Sequence, residues 1–257
     1  MPFANIAGSR LEYVRVVPAR AIRNRPQIVF LHEGLGSVSL WKEFPQRIAD
    51  AAGSAVVVYS RRGYGDSDPI TAPRAVRYMH DEALIVLPEL LDRLEIERPV
   101  LFGHSDGGSI ALIHAGGSGR PVAGLIVLAP HVLVEDLSVA SIAEAKVAYE
   151  TTDLKERLAR RHANVESAFR GWNDIWLHPD FRAWNIEEYL PKVTVPVLAI
   201  QGELDEYGTM DQIDRIARQA PDVETLKLAD CAHSPHRDQP DAVVAATVDF
   251  LARRLHR

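Results

Sequence analysis

The chain has 257 residues, 47% of them apolar, with a net charge of −6 at pH 7 and Lys and Arg scattered along it. That is enough for one α/β domain with an insertion, and it excludes the basic stripe that a nucleic-acid partner requires. A single cysteine, Cys231, excludes an internal disulfide and a thiolate metal site and fits a reducing compartment.

Met1 to Gly8 lacks the basic start and apolar core of a signal peptide. No apolar run approaches the roughly 18 residues of a membrane span. A cytoplasmic protein without a membrane partner is expected. No repeat or low-complexity segment occurs.

Leu11 to Val17 alternates as a strand. Gln27–Leu31 is a short continuous apolar run, as in a strand covered on both faces. Trp41 to Ala52 reads as a helix and Ala55–Tyr59 as the next buried strand. Leu84, Leu87, Leu90, Leu91 and Leu94 form a helical stripe over 80–94. A strand follows at 99–103, then a helix of small residues, then a strand at Gly124–Leu128. Strands alternating with helices imply right-handed crossovers and a mostly parallel sheet.

The alternation stops at Pro130. From 131 to 190 the pattern is helical only, including Val139–Thr151, Leu154–Ala163, and a face carrying Val165, Ala168, Phe169, Trp172, Ile175 and Trp176. Strand character returns at 195–200 and at 223–228, and a last amphipathic helix covers about 239–255. The expected organisation is an α/β core of residues 1–130 and 191–257 with a helical cap of residues 131–190.

The chemistry is carried first by Gly103-His104-Ser105-Asp106-Gly107. A serine between two glycines, after a strand and before a helix, is the context of a nucleophile elbow. The turn needs strained backbone, and side chains at the glycine positions would strike the adjacent strand and helix. The Asp106 amide then lies at a helix N-terminus, which favours negative charge, and its carboxylate is expected to stabilise that helix start.

Serine is a poor nucleophile without an imidazole to take its proton and a carboxylate to hold the imidazole. The acid and base should follow in that chain order. On the loop after 195–200 the acid is Asp205, with Glu203 and Glu206 as neighbouring rivals and Glu135 and Asp136 as a second set. On the loop after 223–228 the base is His233, with His236 as competitor. His104 is expected to pack beneath the elbow and His32 to hydrogen-bond to backbone.

With these motifs in place, the chain resembles the α/β-hydrolase superfamily along essentially its whole length, in particular small bacterial serine hydrolases with a helical cap. Two further segments carry the resemblance. Leu31-His32-Glu33-Gly34-Leu35-Gly36-Ser37 looks like the family's oxyanion loop, and Arg61-Arg62-Gly63-Tyr64-Gly65-Asp66-Ser67 looks like its Arg-Gly stretch. The resemblance implies an eight-stranded, mostly parallel sheet flanked by helices. It also implies an oxyanion hole built from the backbone amides of Gly34 and Asp106.

Glu33 departs from the pattern, which usually has glycine there. A carboxylate beside an oxyanion hole opposes the developing charge unless it is neutralised, so pairing with Arg61 or Arg62 is expected. Gly34-Leu35-Gly36 also suits the start of a dinucleotide loop, but position 39 is serine where the third glycine would stand.

The reaction expected is acyl transfer to water, on an ester first. A carbon–carbon bond hydrolase, thioesterase or lactonase acting on an aromatic or apolar substrate is the alternative, and a ligand sensor that keeps its triad is the non-enzyme reading. Neither cofactor nor metal is expected. Glu33, Trp41, His131, Trp172 and Trp176 are the candidate pocket residues for a small apolar or aromatic molecule. A homodimer stays open.

Overall fold

The structure is a computed structural model and describes residues 2–255. Its eight strands form one sheet in the order β1-β2-β4-β3-β5-β6-β7-β8. They are β1 (Phe3–Ile6), β2 (Ser9–Val16), β3 (Ile28–Leu31), β4 (Val56–Tyr59), β5 (Val100–His104), β6 (Gly124–Leu128), β7 (Val197–Gly202) and β8 (Val223–Leu228). β1 and β2 run antiparallel to their neighbours, and every pairing from β4 to β8 is parallel. β3 to β7 are continuously buried, because helices cover both faces of a parallel sheet.

The helices are α1 (Phe44–Ala52), α2 (Tyr78–Asp81), α3 (Leu87–Arg93), α4 (Asp106–Gly117), α5 (Asp136–Thr151), α6 (Leu154–Ala159), α7 (Val165–Trp176), α8 (Asp211–Gln219), α9 (Pro235–Asp238) and α10 (Pro240–Arg254). None is long and apolar enough to cross a membrane among the described residues. α5, α6, α7 and two 3₁₀ turns at Pro179–Ala183 and Glu187–Lys192 fill the segment between β6 and β7 without a strand.

Three elements differ from the sequence expectation. β1 was not anticipated. It is a four-residue edge strand joined to β2 by Ala7 and Gly8, both at positive φ (47° and 72°), the backbone of a tight hairpin turn. The helix expected over 80–94 is interrupted by a π turn at Glu82–Val86. Pro88 sits just beyond this turn. It offers no N–H and would clash with the carbonyl four residues back, so the chain widens there. The helix expected from Trp41 starts at Phe44; Val38–Trp41 is a separate 3₁₀ turn.

The elbow is fixed by contact between backbones. A Cβ on Gly103 would lie 2.2 Å from the Gly107 carbonyl oxygen, and one on Gly107 would lie 2.0 Å from that of Leu31. Any side chain at either place would push α4 away from β3 and β5. With the glycines present, the β5–α4 turn closes sharply and Ser105 takes φ 53°, ψ −119°. That is left-handed backbone for a residue with a side chain, a strain of about 1–3 kcal/mol that the surrounding packing sustains.

Candidate active site

Ser105, Asp205 and His233 stand at the C-terminal ends of β5, β7 and β8. Ser105 and His233 line one cavity of about 160 Å³, together with Glu33, Gly34, His131, Trp172, Trp176, Tyr207 and Arg237. Among the described residues the Ser105 hydroxyl has no hydrogen-bond partner, so it is free to meet a reacting group in that cavity.

Asp205 is built to hold an imidazole. Its Oδ1 accepts the amides of Tyr207 (2.8 Å) and Gly208 (3.2 Å) and the Nδ1–H of His233 (2.8 Å). Burial works to raise its pKa, but the hydrogen bond and charge of His233 and the Tyr207 amide outweigh it, and the carboxyl lies below its ordinary value. His233 is the reciprocal case. Burial lowers its pKa, but the hydrogen bond and charge of Asp205, with Glu206 and Glu33, carry it above the ordinary histidine value. The bond at Nδ1 leaves Nε2 as the free ring nitrogen.

The rivals do not hold the ring. Glu203 and Glu206 are exposed, and Glu206 accepts the His233 backbone amide at 3.2 Å. Glu135 accepts from Thr209 and Gln212, and Asp136 pairs with Arg182. His236 is buried between Trp41 (ring centroids 4.7 Å) and Phe44 (5.5 Å); burial first, and then the charge of His104, hold it well below the ordinary pKa.

The amides of Gly34 and Asp106 have no hydrogen-bond partner among the described residues. The Asp106 amide opens α4, where the following turn already uses the Ser105 carbonyl for Gly108 and Ser109. Trp172 lies so close over Gly34 that a Cβ there would fall 2.2 Å from the indole.

Glu33 does not pair as expected. Its Oε1 accepts from Arg237 Nη2 at 3.1 Å, and its Oε2 lies 3.5 Å from His104 Nδ1. Burial would raise its pKa, but His104 and Arg237 hold the carboxyl well below the usual range. Arg61 turns inward from the end of β4 instead. It donates to the Glu33 carbonyl (2.8 Å) and pairs with the Asp106 carboxylate (3.4 Å), both side chains 1% exposed or less. Arg62 stays at the surface on the Pro69 carbonyl and the Thr71 hydroxyl.

Trp41 is also a correction. It lies on the face of the sheet opposite the cavity lining, 2% exposed, against Phe30 (4.9 Å), Phe102 and His236. The 3₁₀ turn at Val38–Trp41 points its indole into the core. Trp172, Trp176 and His131 do line the cavity, whereas Trp184 stacks on Phe181 (5.4 Å) in the core. His131 lies 5.0 Å from Trp176, and burial, reinforced by the charge of His233, pushes its pKa down to about 4. It is therefore a neutral, polar wall. Tyr207, Arg237 and Ile142 were not anticipated as lining. Tyr207 sits two residues after Asp205, so its place was readable; Arg237 and Ile142 reach the cavity only through tertiary packing.

A larger cavity, about 360 Å³, opens on another face of α7 between Arg74, Arg170 and Asp174. It holds none of Ser105, Asp205 and His233.

The family model described as "Alpha/beta hydrolase family" matches residues 28–246. Among curated proteins, the chain is similar to the sn-1-specific diacylglycerol lipase of Danio rerio (24% identical, covering 87% of this chain and 78% of that protein). It is also similar to a 2-hydroxy-6-oxononadienedioate/2-hydroxy-6-oxononatrienedioate hydrolase of Cupriavidus pinatubonensis (24%, 87% and 86%). Among solved structures, it superposes on the enol-lactonase of Burkholderia xenovorans LB400 with a TM-score of 0.76, at 22% identity and covering 98% of this chain and 100% of that one.

Proposed function

Because the chain belongs to the α/β hydrolase family, we propose that it is a serine hydrolase that cleaves small ester-type carbonyl substrates through an acyl-enzyme. One observation carries the reading: the 2.8 Å Asp205–His233 hydrogen bond orients an imidazole whose other nitrogen is free, in the same cavity as a serine held at strained backbone. His233 takes the Ser105 proton as the hydroxyl attacks the carbonyl. The amides of Gly34 and Asp106 receive the oxyanion. His233 then protonates the leaving group, and water, deprotonated in turn by His233, releases the acid. The helices between β6 and β7 act as the cap, with Trp172 and Trp176 over the acyl group.

The cavity bounds the substrate. About 160 Å³, with Trp172, Trp176, Tyr207 and a neutral His131 among its walls, suits a short or single-ring apolar acyl group. The named relatives include hydrolases of a dienedioate and of an enol lactone, so the test spans bond types. A panel of p-nitrophenyl esters, thioesters, enol lactones and vinylogous 1,5-diketones is to be assayed for multiple turnover. The expected result is a burst followed by steady turnover on short esters, with long-chain esters disfavoured. A single slow turnover on every member would point to a sensor and overturn the enzyme reading.

The pH dependence follows from the base. His233 must be neutral to accept a proton, and its pKa is raised. Activity is therefore lost as pH falls through a value above the ordinary histidine pKa of about 6.5. Asp205→Asn removes the largest raising influence and should move this acidic limb of kcat/KM to lower pH while depressing its plateau. A limb that stays in place would mean that the titrating group is not His233.

A further inference from the structure

We propose that His104 is a positioning residue that donates from Nε2 to the His233 backbone carbonyl and so ties the base loop to the nucleophile's strand. This rests on the serine-hydrolase reading above, which makes Ser105 and His233 the reacting pair.

His104 is the last residue of β5 and one peptide bond from Ser105. Its Nε2 lies 2.7 Å from the His233 carbonyl oxygen and its Nδ1 lies 3.5 Å from Glu33 Oε2. Both neighbours are acceptors with no proton to give. The hydrogen bond is made to the His233 carbonyl, and Nδ1 has no hydrogen-bond partner among the described residues. The side chain is 1% exposed, so losing this donor would leave the His233 carbonyl without its partner in a dry site, which is costly. The charged and titratable groups facing the ring are Glu33 from the oxyanion loop, His233 from the base loop, and His236 and Arg237 from α9. Glu33 is the anion among them. Its carboxylate is held on its second oxygen by Arg237.

The arrangement answers a mechanical need. β8 lies three places from β5 in the sheet, so the base arrives on a loop remote from the nucleophile's strand. Asp205 orients the imidazole of His233 but does not hold its carbonyl. His104 does, from a residue rigidly joined to Ser105.

The test combines spectroscopy and kinetics on the full chain. In ¹⁵N-histidine-labelled protein, the His104 ring, assigned by its loss in His104→Phe or His104→Gln, is expected to show an Nε2–H signal protected from solvent exchange. Glu33→Gln is expected to leave that signal in place. With p-nitrophenyl acetate, His104→Phe should lower kcat by about 10–100-fold with little change in KM, the scale of a misplacement of the reacting groups near 1 Å. His104→Gln, which keeps a donor toward the His233 carbonyl, should recover part of that loss. A wild-type ring with no proton on Nε2 overturns the proposal, as does His104→Phe with wild-type kcat. If His104→Phe does not fold, the wild-type and Glu33→Gln spectra decide, with His104→Gln giving the assignment. The spectra do not depend on the reaction, so a Ser105→Ala protein with undiminished turnover would sink the hydrolase reading and leave the His104 contact to be judged separately.

Discussion

Replacing Ser105 by alanine should lower kcat by about 10⁴-fold or more on any ester the protein turns over. The hydroxyl makes no hydrogen bond to the protein among the described residues, so its removal breaks nothing structural. Alanine meets the same strained φ of 53° with a side chain no larger. Stability should hold within about 0.5 kcal/mol, the range of a substitution that disturbs no special feature. Activity loss with a preserved urea midpoint therefore isolates chemistry from folding. His233→Ala should cost about as much, and the double variant little more than either, because nucleophile and base act as a unit. The residual rate would reflect binding and the oxyanion amides alone. Near-normal turnover by Ser105→Ala would remove Ser105 from the mechanism.

The parts of this site that were readable in the sequence are those whose chemistry is local. Gly103, Ser105 and Gly107 announce the elbow within five residues, because the steric conflict they avoid arises inside one strand–turn–helix unit. Asp205 and His233 were readable because parallel strands deliver their following loops to one edge of the sheet. Burial then separates Asp205 from the exposed Glu203 and Glu206. Among the strands, β3 to β7 announced themselves by unbroken apolar runs, whereas β1 is short, half exposed and defined by a turn.

What was not readable is pairing at long range. Glu33 meets Arg237 across 204 positions and finds His104 on another strand. The nearer candidates, Arg61 and Arg62, are taken by other partners. Charge in a sequence says that a partner is needed, but the crossovers decide which one arrives. Trp41 fails for a related reason. A single 3₁₀ turn has too little periodicity to reveal which face its residues present, and the turn aims this indole into the core.

Arg61→Met should destabilise the fold by about 3–5 kcal/mol, the cost of removing one member of a buried ion pair. The Arg61 and Asp106 side chains are 1% and 0% exposed. Asp106 Oδ2 would keep the Tyr78 hydroxyl at 2.8 Å but lose its cation. Arg61 also donates its amide to His32 Nε2 (3.0 Å) and its Nη2 to the Glu33 carbonyl (2.8 Å). Methionine keeps the first of these and loses the second, so the oxyanion loop loosens along with the elbow. Burial alone would lower the arginine pKa, yet the Asp106 charge and nearby tyrosines and Glu82 raise it overall; the cation is therefore firmly held in the wild type. The discriminating measurement is a double-mutant cycle with Asp106→Asn, read by urea denaturation. Each single variant leaves a charge buried without its partner, whereas the double variant leaves none. It should be more stable than the sum of the single losses predicts, by about 1.5–3 kcal/mol, at the strong end of couplings between contacting residues. The catalytic consequence separates from the stability one. Asp106 contributes its amide to the proposed oxyanion hole, and Trp176 Nε1 donates to the Tyr78 hydroxyl at 3.0 Å. The same buried chain thus reaches from the elbow to the cavity wall. Arg61→Met should accordingly lower kcat even under conditions where it remains fully folded. A folded Arg61→Met with an unchanged urea midpoint and unchanged kcat would mean that this buried pair supports neither the fold nor the elbow.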